Sequence, residues 1–194
     1  MKTEDTELPG IFGMLEASGA LRQGHFQLSS GRHSARYIQC ALLLEDPERA
    51  GRVGAALAKR LGVHQPESVL APAMGGLIIG HETAAGLCVP FRFSERVDRE
   101  MTLRRGFCLR EGERVVIVED VVTTGKSTLE TAELVEAAGA TLVAVGAIID
   151  RAGGENPFPV PFESLARLKI ESYLAAECPL CADGVAPEKP GSRR

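Results

Sequence analysis

Residues 114–128 read RVVIVEDVVTTGKST, and this stretch decides the fold. Residues 114–118 are dominated by Val and Ile, whose branched side chains favour a strand. Their unbroken apolar run is that of a strand covered on both faces. Two carboxylates, Glu119 and Asp120, follow it. Thr123, Thr124 and Gly125 then lead through a short loop into a helix reaching about residue 138. In an open parallel sheet, ligands bind beyond the carboxyl ends of the strands. Thr123, Thr124, Gly125, Lys126, Ser127 and Thr128 would therefore surround a helix N-terminus. Free N–H groups, hydroxyls and the helix dipole converge there on a phosphate-sized point, and Gly125 lets the backbone come close. Two acids ahead of a phosphate cradle suit a ligand with neutral hydroxyls on one side and a phosphate on the other, as in a ribose 5-phosphate. A strand, turn and capped helix without a ligand is the plain alternative, and the strand with its Glu-Asp pair counts against it. GKST also evokes a P-loop, but that motif needs a glycine where Asp120 stands.

Working outward, strand and helix patterns alternate. Towards the N-terminus lie an apolar strand at 89–93, a helix at 77–87, the turn APAMGG at 71–76 and a strand at 68–71. A helix opens at Asp46-Pro47, with Asp46 as N-cap and Pro47 at the first helical position. Ala50, Val53, Leu57, Ala58 and Leu61 form its buried stripe, and Gly62 is expected to close it. The segment 24–44 reads as a turn followed by strand pieces, and residues 9–19 as a short helix started by Pro9 and stopped by Gly19. Towards the C-terminus, 142–149 is another buried strand. Residues 94–113 are highly charged and show no clear periodicity. The proline-rich tail from Cys178 reads as irregular. The alternation implies an α/β fold with a mostly parallel central sheet flanked by helices.

The bulk properties agree with one domain. The chain has 194 residues and a net charge of −4, so no general basic surface points to nucleic acid. The acidic start lacks the apolar core of a signal peptide, and no apolar run approaches the ~20 residues that span a bilayer. Five cysteines, an odd number with three scattered singly, fit reduced thiols and a cytoplasmic location. Cys178 and Cys181 have metal-ligand spacing, but a second knuckle is absent. They read as a passive reduced pair, with Cys108 or a partner subunit as remote sources of further ligands. His25, His33, His64 and His81 lie apart in sequence and show no metal spacing, and His33 is the one singled out.

The stretch VVIVEDVVTTGKS resembles the phosphoribosyl pyrophosphate (PRPP) signature of the type I phosphoribosyltransferase family. GHFQLSSGRHSARYIQ, residues 24–39, is similar to the N-terminal hood of the orotate branch, and IIDRAGG, residues 148–154, places an arginine where that branch holds the substrate carboxylate. The CPLC tail resembles one bacterial group of the branch. The resemblance implies a single domain with a hood at 1–45, an α/β core at 46–175 and an irregular tail at 176–194. It implies PRPP on Glu119, Asp120, Val121, Val122 and the loop from Thr123 to Ser127, with diphosphate on Gly75 and Gly76. Orotate would rest on Thr123 and Arg151, and Mg2+ would be held mainly by PRPP. A planar carboxylate suits a bidentate arginine; the alternative for Arg151 is an ion pair with Asp150. A plain strand-to-helix turn remains the alternative for residues 71–76, and solvent for Lys126.

Residues 94–110, with Arg96, Arg99, Arg104, Arg105 and Arg110, resemble the family's mobile catalytic loop, which often serves the neighbouring subunit of a homodimer. Arg99 is the first choice there, with Arg96 and Arg104 behind it. A solvated hairpin is the alternative. Relatives often carry lysines in the diphosphate loop, the hood and the mobile loop; this chain has Met74 and Gly75, Ser29, and arginines only. A transferase for a purine or other base, and a PRPP-sensing regulator, are the competing readings.

Overall fold

A computed structural model describes residues 10–28, 30–153 and 156–190 of the chain. Pro9 and the acidic start, Ser29, Gly154 and the final SRR, with Gly191, lie outside the described residues. In chain order the elements are α1 (Ile11–Ala17), β1 (Leu21–Gln27), β2 (His33–Ile38), α2 (Cys40–Leu44) and α3 (Pro47–Leu61). There follow β3 (Ser68–Pro72), α4 (Gly76–Leu87), β4 (Phe91–Val97), β5 (Glu100–Leu103) and β6 (Arg114–Val122). The chain continues with α5 (Lys126–Ala137), β7 (Thr141–Asp150), β8 (Phe162–Arg167) and α6 (Pro179–Ala182).

Six strands form one sheet in the order β5-β4-β3-β6-β7-β8. Only β5 runs antiparallel to its neighbour. The apolar residues of β6 divide between two cores. Val116 and Val118 join Val53 and Leu57 of α3 and Ile79 of α4, while Val115, Ile117 and Val122 join Val135 of α5 and Phe158. Burial on both faces is why β6 reads as a continuous run rather than an alternating one. Each such side chain removed from water contributes about 1.5–3 kcal/mol. Asp46 caps α3 by accepting from the N–H groups of Glu48 and Arg49 at 2.9 and 3.0 Å.

Several expectations are corrected. Residues 40–44 are the helix α2, not strand, because Cys40, Leu43 and Leu44 are buried on one helical face. Gly62 is the C-cap of α3 but in a right-handed conformation, with φ of −60°; the chain runs on as a 3₁₀ turn, Gly62–His64, and Gln65 takes the left-handed φ of 49°. The segment 94–113 contains a hairpin, β4–β5, whose turn residues Asp98 and Arg99 have φ of 49° and 76°. No glycine marks that turn, so its usual signal is missing. Strand β6 extends to Val122, placing Glu119 and Asp120 inside it, and β8 was not anticipated. The described tail from Cys178 is irregular over most of its length but contains the short helix α6, and a 3₁₀ turn, Ala175–Glu177, precedes it. It bridges to the β1–β2 hairpin at Phe26–Glu188 and His33–Tyr173. Among the described residues no helix is long and apolar enough to cross a membrane.

Glu113, immediately before β6, anchors the sheet edge. Its side chain is 1% exposed and accepts from Arg92 Nη1 at 2.6 Å and from the Arg110 N–H at 2.9 Å. Burial pushes its carboxyl up, but Ser68, the Arg110 N–H and Arg92 outweigh that and hold it at about 2. Because the folded value lies below the unfolded one, this stabilisation is complete above the ordinary carboxylate range and is lost as pH falls towards 2. Glu113→Gln is expected to cost about 3 kcal/mol at neutral pH, since it leaves Arg92 without its anion. Urea unfolding at pH 7 and pH 3 checks this: the gap between wild type and variant should narrow at the lower pH.

Candidate functional site

The parallel strands β3, β4, β6 and β7 end on one edge of the sheet, at Pro72, Val97, Val122 and Asp150. Glu119 and Asp120 stand at that edge. Glu119 is 7% exposed, and its carboxyl is raised well above the usual range by burial and by the adjacent Asp120. Asp120 is also raised, by burial. Oδ1 of Asp120 accepts from the Val121 N–H at 2.8 Å, and Glu119 Oε1 from the Asp120 N–H at 3.2 Å. Two adjacent, desolvated carboxylates repel, so a ligand with hydroxyl donors relieves them.

Beyond β6, Thr123 and Thr124 are exposed and Gly125 is the N-cap of α5, with φ of 73°. A Cβ on Gly125 would meet Phe158 Cε1 at 2.8 Å, so both conformation and space require glycine. No side chain caps α5 among the described residues, leaving its first-turn amides open to an anion. Ser127 is half-buried and Thr128 buried. Lys126 is largely exposed and 3.9 Å from Glu130.

Across the same edge, the 72–76 loop packs on Asp120. A Cβ on Gly75 would lie 2.6 Å from Asp120 Oδ1, and one on Gly76 would lie 2.7 Å from the Val118 carbonyl. The Ala73 N–H donates to the Ser94 carbonyl at 2.7 Å, tying this loop to β4. The two glycines therefore allow a second backbone segment to border the carboxylates.

Arg151 follows β7. Its N–H donates to the Val122 carbonyl at 2.8 Å, pinning it beside the end of β6. The expected alternative, an ion pair with Asp150, is not formed. Asp150 accepts instead from Arg167 Nε of β8 at 2.8 Å and from the Ala152 N–H at 2.8 Å. Nε of Arg151 is buried without a hydrogen-bond partner among the described residues, and burial lowers the guanidinium's pKa. A buried, unsatisfied cation at a strand end is costly unless an anion completes it.

The arginines of the β4–β5 hairpin differ in commitment. Arg96 binds Glu130 and donates to the Arg99 carbonyl at 2.6 Å. Arg104 is 3.9 Å from Glu95, and Arg105 is 3.0 Å from the same carboxylate. Arg99, at the exposed turn, has no ion pair among the described residues. The hood residues Tyr37 and Cys40 lie near the acids. Burial raises the Tyr37 hydroxyl, with Asp120 contributing to the rise and Arg22 opposing it. Burial, then Asp120 and Glu119, raises the Cys40 thiol.

The spacing of Cys178 and Cys181 is visible in the sequence, but the two histidines that the fold brings to them are not. The ligand atoms of His25, His33, Cys178 and Cys181 lie within 4.8 Å of one another, so two of the four histidines meet and the cysteine pair is not isolated. Cys108 is exposed and outside the group. The hairpin and the tail bridges bring these residues together over about 150 positions of chain, and a spacing rule cannot see that distance.

Comparison with known proteins gives a consistent result. A model of the phosphoribosyl transferase domain matches residues 41–158. The chain is 52% identical over 180 residues to the orotate phosphoribosyltransferase of Thermotoga maritima, covering 93% of this chain and 96% of that protein. It is 48% identical over 177 residues to that of Carboxydothermus hydrogenoformans, covering 90% and 93%. The crystal structure of orotate phosphoribosyltransferase from Aeropyrum pernix superposes with a TM-score of 0.69 at 29% identity, over 80% of this chain and 92% of that one.

Proposed function

This chain belongs to the phosphoribosyl transferase family, and from that premise we infer that it transfers ribose 5-phosphate from PRPP to orotate, giving orotidine 5′-monophosphate and pyrophosphate in pyrimidine biosynthesis. One observation carries the substrate reading beyond kinship: the unpartnered Arg151 Nε stands beside the strand that carries Glu119 and Asp120. A sugar phosphate on β6 and a planar carboxylate on Arg151 would fill both.

In this reading the amides of Thr123 to Ser127 hold the 5′-phosphate. Glu119 and Asp120 accept from the ribose hydroxyls and face the cation-like sugar of the transition state. The backbone at Gly75 and Gly76 borders the diphosphate. Arg151 orients orotate, with Thr123 alongside, so that the ring nitrogen lines up with the anomeric carbon. The donor set fits Mg2+, a hard cation that takes carboxylate and phosphate oxygens: Asp120, packed against Gly75, offers oxygen on the diphosphate side. When bound there with PRPP, Mg2+ would neutralise the departing diphosphate. No cysteine or histidine is needed as nucleophile. Five free thiols support a reducing, cytoplasmic setting, and the hairpin that carries Arg99 fits a loop shared across a homodimer.

Incubation with PRPP, Mg2+ and orotate, following orotate absorbance, tests the function, with uracil and hypoxanthine as controls. Orotate-specific turnover is expected. Turnover with a purine alone, or PRPP binding without turnover, would refute it. Arg99→Ala is expected to lower kcat about tenfold while PRPP affinity changes less than about twofold, because an exposed cation acts on charge developing late. Steady-state kinetics with an independent PRPP titration separates the two quantities; unchanged kcat removes Arg99 from the mechanism.

A further inference from the structure

We propose that His25, His33, Cys178 and Cys181 form a closed, tetrahedral Cys2His2 site for one structural Zn2+, which clips the C-terminal segment to the β1–β2 hairpin. This site is separate from the transferase chemistry and does not depend on the substrate assignment.

The geometry comes from three elements. His25 lies on β1 and His33 on β2. Gln27, two residues after His25, is the register partner of His33; the pairing is irregular between Gln23 and Phe26, and the two imidazole rings meet with centroids 4.8 Å apart. Cys178 is the N-cap of α6 and Cys181 lies within it, so the C-x2-C pair forms a compact knuckle. Backbone pairing holds the knuckle over the hairpin. His33 and Tyr173 exchange N–H to carbonyl bonds at 2.8 Å each, the Gln27 N–H donates to Glu188 at 2.8 Å, and the Glu188 N–H donates to His25 at 2.7 Å.

Three nitrogen–sulfur separations suit coordination. Cys178 Sγ is 3.5 Å from His25 Nε2, and Cys181 Sγ is 3.8 Å from that atom and 3.3 Å from His33 Nδ1. With zinc bond lengths of about 2.0–2.1 Å to nitrogen and 2.3 Å to sulfur, a tetrahedron places nitrogen and sulfur about 3.6 Å apart. The two imidazole nitrogens stand 2.8 Å apart and must separate to about 3.3 Å for the same tetrahedron. That half-ångström is within reach of small ring rotations.

The surroundings prepare the ligands. Nδ1 of His25 is 2.6 Å from the Val185 carbonyl and, having only an acceptor there, carries the proton. Nε2 is thereby left with its lone pair facing the cluster, the outer-shell arrangement typical of metal-bound imidazole. Without metal, His33 Nδ1–H donates to His25 Nε2; on binding, that proton moves to His33 Nε2 and the two thiols release theirs to solvent. Each ion thus displaces two protons and leaves a neutral centre, two thiolates balancing Zn2+. A neutral complex suits a position where His25, His33 and Cys178 are each at most 5% exposed. Two soft thiolates with two imidazoles in a four-coordinate arrangement select zinc over the harder Mg2+. No coordination position remains for substrate, so the role is structural.

The test uses the full, untagged chain purified from zinc-supplemented culture without chelator. Elemental analysis by mass spectrometry is expected to find one zinc per chain, and Cys178→Ser and His33→Ala should each reduce it at least tenfold. Cys88→Ser and Cys108→Ser, outside the cluster, should leave it unchanged. Chelation of the wild type should release zinc, lower Tm by about 5–10 °C and expose residues 173–188 to hydrogen exchange. Reduced apoprotein should take up Co2+ with the visible absorption of a tetrahedral thiolate complex. Zinc below about a tenth of an equivalent with no uptake of Zn2+ or Co2+ by reduced protein overturns the proposal, as does a native Cys178–Cys181 disulfide.

Discussion

Arg151→Ala is expected to raise the KM for orotate by two to three orders of magnitude, about 3–4 kcal/mol, while PRPP binding changes less than about twofold. The reason is local. Arg151 is held beside β6 by its backbone bond to Val122, and Asp150, its nearest candidate anion in sequence, is already engaged by Arg167. Nε of this half-buried guanidinium thus has no hydrogen-bond partner among the described residues, and a bidentate carboxylate would complete it. Arg151→Lys should recover only part of the loss, since an ammonium keeps the charge but not the planar fork. Steady-state kinetics with varied orotate and an independent PRPP titration decide the matter. An unchanged orotate KM in Arg151→Ala would move the carboxylate site elsewhere.

Gly75→Ala is expected to lower kcat/KM for PRPP about a hundredfold with only a small loss of stability. The added methyl would sit 2.6 Å from Asp120 Oδ1 and 2.9 Å from its Cγ, well inside contact. Either the carboxylate or the 72–76 loop must shift by about an ångström, and displacement of that size at a reacting centre costs on the order of 10² in rate. Gly13→Ala provides the control: that glycine lies in α1 with open space around it, and the change should leave both activity and Tm unharmed. Full activity in Gly75→Ala would show that the loop yields freely and that its contact with Asp120 does not set the geometry of the site.

Much of this was legible in the linear chain because the signals are local. The β-branched run of β6, the Asp46-Pro47 start of α3 and the glycine before α5 each act within a few residues. Their readings match the strand, the Asp46 cap and the helix start observed. Gly75 and Gly76 could be named as a loop, yet their reason, a backbone segment pressed on Asp120 and the Val118 carbonyl, appears only when two strands are adjacent. The β4–β5 turn was hidden because Asp98 and Arg99 adopt left-handed φ without glycine. Strand β8 was missed because its partly exposed face breaks the apolar pattern, and with it went the true partner of Asp150.

Periodicity and a contiguous signature need no contact across the fold, so the α/β class and the family to which the chain belongs could be read from the linear chain. Tertiary structure alone decided that Arg151 is free of Asp150, that Arg96 is committed to Glu130 while Arg99 is not, and that two histidines meet two cysteines. Each of those outcomes depends on which of several partners comes within hydrogen-bonding or coordinating distance. That choice is made by strand register and segment packing over tens to hundreds of residues, where the linear order carries no distance information.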